Sequence, residues 1–313
     1  MTPAAFGVVL RGIEWALCLN LKTGHFDTAI DDPGAVIAGH RPRFFYLRWL
    51  EQIDQTSPSW TLGRQEATRR LLATLIFASF CLFLIEYLKH GAYLQALVQS
   101  LGGWGLSFES QKALLMSPYS PLYFQFWWTF WIFIGSVALP LLFIRYVLKE
   151  SFIDHGLGWC DTSSHKWAYI ALGAVMVIGT LISSFASHFT DYYPMYGSAG
   201  RSWFDYIAWE FVIYLPQFIW VEFFFRGFLL RALQPAIGAG AILVMVVPYT
   251  MIHFPKPMFE SLVALSFGLI AGALALRSRS IWGGVIIHVF IAFSMDTMAL
   301  INTNRIPVNF WPQ

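Results

Sequence analysis

Seven stretches of this sequence are each apolar for long enough to cross a bilayer, near residues 71–88, 124–148, 167–189, 204–232, 237–253, 258–276 and 281–301. A helix rises 1.5 Å per residue, so about 20 apolar residues cover the ~30 Å hydrocarbon core. Inside lipid every backbone polar group must be satisfied within its own segment or a closed barrel, and runs of this length select helices. The expected fold is therefore all-α, a polytopic membrane protein of seven or eight transmembrane helices. The uncertainty of one comes from Pro216, which predicts a kink or a break in the long 204–232 stretch. Composition agrees, with 57% hydrophobic and only 12% charged residues, against roughly 25% charged in ordinary soluble domains.

Two regions follow from this pattern. Residues 1–66 scatter charges among aromatics, carry the turn-forming run Asp31-Asp32-Pro33-Gly34 and read as an N-terminal cytoplasmic or interfacial segment. Within it, Pro3 to Leu21 has the amphipathic character of an interfacial helix, and a packing arm is the plainer alternative. Residues 67–313 form the transmembrane domain. With the N-terminus cytoplasmic and seven crossings, only Lys89, Lys112, Arg201, Lys256 and Arg305 of the 20 Lys and Arg fall outside, which satisfies the positive-inside tendency. The short loops suit a bacterial inner (cell) membrane. The 89–123 connection, rich in Gly, Trp and Pro, reads as an external loop with a short helix lying on the bilayer, and 150–166 as a polar cytoplasmic connection.

Other classes are disfavoured. Cys18, Cys81 and Cys160 are odd in number and contain no CxxC, so neither a disulfide framework nor a thiolate metal site is expected. The net charge is +2 and no basic patch rises above the flanking charges of the spans, so nucleic acid is not an expected partner.

Function should lie where ionisable side chains enter the apolar spans, because each costs about 2.5 to 3.5 kcal/mol near a helix centre on insertion scales. Four stand out: Glu222, Arg226, His253 and His288. Glu222 and Arg226 lie in VEFFFRG at i and i+4, one helix face, where they can pair. The flanking phenylalanines are expected to face lipid and neighbouring helices and so aim the charged groups inward. Counting from the inner loops, Glu222 lies roughly 15 Å deep, His253 roughly 20 Å and His288 about 12 Å, near a common level. A carboxylate and two imidazoles in a protected cavity suit hydrolysis of a carbonyl compound, most naturally a peptide bond: the glutamate activates water and a histidine stabilises the oxyanion. The same three side chains could instead ligate zinc and leave one position for water. A proton-relay transporter is a further reading. The plain structural alternatives are a buried ion pair, an interfacial cap at His253 and a packing histidine at 288.

The motifs resemble a known family. ExxxRG at Glu222–Gly227, Tyr249-Thr-Met-Ile-His253 followed by Phe-Pro-Lys256-Pro257 and Glu260, and Arg277-Ser-Arg-Ser-Ile-Trp-Gly-Gly-Val-Ile-Ile-His288 are similar to those of the CPBP family. This is the CAAX prenyl protease and bacteriocin-processing group of intramembrane endopeptidases, also called Abi. The resemblance covers about 165–303. It implies a helical membrane core enclosing a cavity, endopeptidase activity, and a peptide or membrane-protein substrate that is prenylated or lipid-anchored in some members. It implies catalytic roles for Glu222, His253, His288 and Arg226, with Tyr249, Lys256 and Glu260 in support. Val221 stands where the family pattern has its first glutamate. The HxxxN or HxxxD of the last motif reads His288 to Ala292 here; Asp296, about 80° further around the same helix, is the candidate replacement. A catalytically inactive scaffold or partner-binding protein is the alternative these two positions raise.

Overall fold

The computed structural model describes residues 45–56, 62–186 and 188–312. Most of the 1–66 segment lies outside them, including the expected helix over 3–21, the turn at residues 31–34 and Cys18. The described residues form helices joined by short turns, with no strand among them. Helix α1 (Phe45–Thr56) and α2 (Arg64–Leu88) are followed by α3 (Gly91–Ser100) and α4 (Phe108–Leu115), two helices in the 89–123 connection where one short helix was expected. Exposed Trp104, Phe108 and Met116 on this α3–α4 segment supply the apolar surface that an interfacial position requires.

The rest of the chain builds a bundle. It comprises α5 (Ser120–Leu148), α6 (Lys166–Ser183), α7 (Trp203–Ile237), α8 (Gly240–Met251), α9 (Met258–Ser278) and α10 (Trp282–Asn302). Among the described residues six helical stretches are long and apolar enough to cross a membrane. The expected crossing at 237–253 holds the shorter apolar helix α8, of 12 residues, which at 1.5 Å per residue reaches about 18 Å. At Pro216, where a kink or a break was expected, α7 runs on without a break for 35 residues. Pro216 occupies the start of a regular segment just after a π-helical stretch at Ala208–Tyr214. The wider i→i+5 spacing there absorbs the missing N–H without a break.

α7 is the central helix. Of its most apolar stretch 56% is buried inside the protein, against 17% for α2, whose Ile76 and Phe83 face outward. Its N-terminus is capped: the Ser202 hydroxyl accepts from the Asp205 backbone N–H at 3.0 Å, and Arg201 forks onto the Asp205 carboxylate with two bonds of 2.8 Å. The phenylalanines of VEFFFRG do not face lipid. Phe223, Phe224, Phe225 and Phe228 are all buried, and Phe228 packs with Phe77 of α2 and Phe143 of α5, which stack at 4.3 Å. They form the packed core because α7 has helix neighbours on every side there.

A polar clamp holds the same end of α7. Arg70 forks onto Glu150 at 2.6 and 2.9 Å and donates through Nε to the Ala232 carbonyl at 2.6 Å. The buried His155 ring bridges Glu150, at 2.9 Å, and the Gly227 carbonyl, at 3.0 Å. A π-helical stretch at Phe223–Leu229 surrounds Gly227, and such stretches free carbonyls from the regular ladder. Glycine is needed at 227 because a Cβ would come within 2.8 Å of the His155 backbone oxygen. The 150–166 segment is thus more than a polar connection; it reaches in and fixes the motif helix. Burial alone would raise the Glu150 carboxyl, but the His155 and Arg70 hydrogen bonds and the Arg70 charge outweigh it and hold the group down at about 2.

Candidate active site

Glu222 ends the regular turn before the π-helical stretch of α7, and its side chain is fully buried. Its Oε1 accepts from Arg226 Nη1 at 3.0 Å, the i,i+4 bond predicted by spacing, and from His288 Nδ1 at 2.9 Å. The second bond joins α7 to α10 and was not predictable from spacing. Oε2 has no hydrogen-bond partner. It lies against Gly284, where a Cβ would sit 2.7 Å away. Glycine at 284 therefore lets α10 approach the carboxylate.

Around this pair the site is aromatic. The Arg226 guanidinium lies 3.9 Å over the Tyr249 ring and 5.4 Å from the Phe267 ring, contacts worth roughly 2 kcal/mol when desolvated. Its Nε and Nη2 are buried without partners. His288 is flanked by Phe218, at 4.7 Å, and Phe267, at 5.5 Å. With Nδ1–H donated to Glu222, its tautomer leaves Nε2 as an acceptor.

His253 sits just beyond α8, buried, with Nδ1–H donated to the Tyr249 carbonyl at 2.8 Å and its ring 4.9 Å from the Tyr249 ring. Tyr249 thus touches both His253 and Arg226. The structure brings Glu222, Arg226 and His288 into direct contact and places His253 one ring away. Lys256 and Glu260 pair at 2.5 Å, and Glu260 also accepts from Tyr193 at 2.7 Å; they brace the loop after α8. Asp296 does not partner His288. It accepts from Trp209 Nε1 at 2.7 Å and from the Met195 backbone N–H at 3.2 Å, because two further turns of α10 carry it to a different level of the α7–α10 seam.

Among the described residues no three His, Cys, Asp or Glu side chains gather at metal-ligand spacing. Glu222, His253 and His288 are not grouped at that spacing; His288 gives Nδ1–H to Glu222 and keeps Nε2 unclaimed. Sequence reasoning missed Gly284, the phenylalanine pair around His288 and Glu210, a carboxylate within the same span. Glu210 had a usable signal, a charge inside an apolar run.

Residues 203–294 match the family model described as Rce1-like, type II CAAX prenyl endopeptidase. The match opens at the first residue of α7 and closes inside α10, so it contains Glu222, Arg226, His253 and His288 and stops short of Asp296. No curated protein and no solved structure matches the chain. The segment that builds the Glu222–His288 contact is the segment that carries the resemblance, and over it this helical membrane protein is similar to the Rce1-like, type II CAAX prenyl endopeptidases.

Proposed function

We propose that the chain is an intramembrane endopeptidase in which Glu222 activates water against a peptide bond. The observation that carries this reading is the state of the Glu222 carboxylate: two donors pin Oε1 and leave Oε2 an unclaimed acceptor. A carboxylate so held is oriented yet still able to take a proton. In the proposed reaction a water proton passes to Oε2 while its oxygen bonds to the scissile carbonyl carbon. The C–N bond then breaks, and the proton goes to the leaving amine. His288 and His253 both commit Nδ1–H to neighbours, so each offers Nε2 to a water O–H. The unclaimed N–H groups of Arg226 are the donors suited to the oxyanion. This reassigns the oxyanion role from histidine to arginine. No step is routed through a metal.

We place the lipid of a modified substrate in an apolar groove of about 500 Å³ between α2 and α8, lined by Leu75, Leu82, Leu229, Val244, Val247 and Met251. α8 also carries Tyr249. An N-terminus in the cytoplasm and a bacterial inner membrane complete the proposal, on the charge distribution and loop lengths.

One observation favours a second reading. Val221, at the position of the family's first glutamate, packs against the hydrophobic core, and an inactive scaffold would need no base there. Cleavage of a fluorogenic peptide panel, with and without a prenylated cysteine, by purified protein separates the two. Glu222→Gln is expected to lower turnover about 10²- to 10⁴-fold, the usual worth of a general base. Wild-type protein inert on every peptide, with a cellular phenotype that survives Glu222→Ala, would establish the scaffold.

A further inference from the structure

Glu210 lies on α7 inside the π-helical stretch Ala208–Tyr214, and it is fully buried with neither carboxyl oxygen hydrogen-bonded. The group facing it is another carboxyl, Asp296 of α10, also fully buried. Asp296 has two donors, Trp209 Nε1–H and the Met195 N–H; Glu210 has none. Among the described residues, the cations nearest the pair are already engaged. Lys256 acts on Asp296 from the loop after α8 but is bound to Glu260, and Arg201 is forked onto Asp205. Tyr206 bonds Thr297 through its hydroxyl, at 2.9 Å, and Tyr214 stacks on Trp209, at 4.8 Å.

Two adjacent carboxylates enclosed without a counter-charge cannot both be ionised at tolerable cost. A metal ion is a poor solution, because the donors on Asp296 already point N–H groups at its oxygens and no third ligand of the usual types is at hand among the described residues. A single proton answers every requirement. It turns Glu210 from an acceptor with no donor into a donor to Asp296 and leaves one negative charge held by three donors.

We propose that Glu210 and Asp296 together form a proton-binding site, with one proton held between the two carboxyl groups. The site lies on the seam between α7 and α10, the two helices that also carry Glu222 and His288. Loss of the proton sets two like charges against each other there, so its occupancy governs how firmly the two helices pack beyond the hydrolytic cluster. The site needs no peptidase activity to be detected.

Infrared difference spectroscopy of the full-length protein in detergent, titrated from neutral to alkaline pH, tests it. The wild type is expected to show the carbonyl stretch of a buried protonated carboxylic acid at neutral pH, with a deuterium shift, and to lose it on the alkaline side. Glu210→Gln and Asp296→Asn are each expected to abolish that band, and Glu222→Gln to retain it. Glu210→Gln, which keeps an N–H donor toward Asp296, is also expected to flatten the alkaline fall in melting temperature. Absence of the band from wild-type protein at neutral pH, or its survival in either Glu210→Gln or Asp296→Asn, would overturn the proposal. The wild-type titration decides the matter even for a variant that does not fold.

Discussion

Two glutamates are buried on α7 about three turns apart, and their surroundings treat them in opposite ways. Glu222 receives a guanidinium and an imidazole N–H on one oxygen, whereas Glu210 receives no donor and faces a second carboxyl. Both adjoin π-helical turns of the same helix, and both meet α10. The difference lies in which α10 residue each one meets: a histidine at the first level, an aspartate at the second. Equal burial therefore leaves a carboxylate held by donors in one place and, as we propose, a pair of carboxyls sharing a proton in the other. A third glutamate, Glu150, shows the surface version of the first arrangement, with Arg70 and His155 supplying the donors.

The largest way to break this contrast is to remove the cation from the first level. Arg226→Ala leaves Glu222 enclosed with only His288, and truncating one partner of a buried pair typically costs 3–5 kcal/mol, so about that loss is expected in denaturant or thermal unfolding. Glu210→Gln should cost far less, because it removes no donor that Glu210 now uses. Similar losses for the two variants would show that the sites are electrostatically alike.

A smaller effect sharpens the comparison by steric means. Gly284→Ala puts a methyl 2.7 Å from Glu222 Oε2, and overpacking of this kind costs typically 1–3 kcal/mol. The expected result is a lower melting temperature together with loss of cleavage from a displaced carboxylate. Full activity in Gly284→Ala would mean that Oε2 is not the atom that takes the proton.

The smallest expected effect belongs to the clamp. Glu150 is held at about 2 when folded, below its ordinary 4.5. Its contribution to stability is thus complete above about 4.5 and is lost as pH falls from there through about 2. A melting-temperature profile should decline over that acid window in wild-type protein and decline less in Glu150→Gln. Superimposable profiles would remove Glu150 from the clamp.

Much of the architecture was legible in the sequence because hydrophobic length is a local property. The spans at 71–88, 124–148, 258–276 and 281–301 each correspond to a helix, and the Glu222–Arg226 bond follows from i,i+4 geometry alone. Where a local signal was weighed without its neighbours it misled. The phenylalanines of VEFFFRG were expected against lipid as well as neighbouring helices and meet helices alone; Pro216, expected to kink or break its helix, follows a π turn without a break. The 150–166 segment looked like a plain connection, since no rule of spacing joins His155 to a carbonyl 72 residues away.

By itself the sequence determined that this chain is a bundle of membrane helices, which of them bear charge, and that a glutamate and an arginine share one helical turn. Only the tertiary structure decided that Glu222 meets His288, that Tyr249 touches both Arg226 and His253, and that Asp296 faces Glu210 and not His288. The reason is physical: periodicity sets which residues share a face of one helix, but the rotation and axial offset between α7 and α10 set which faces meet. That offset is held by contacts such as Gly284 against Glu222, whose partners lie far apart along the chain.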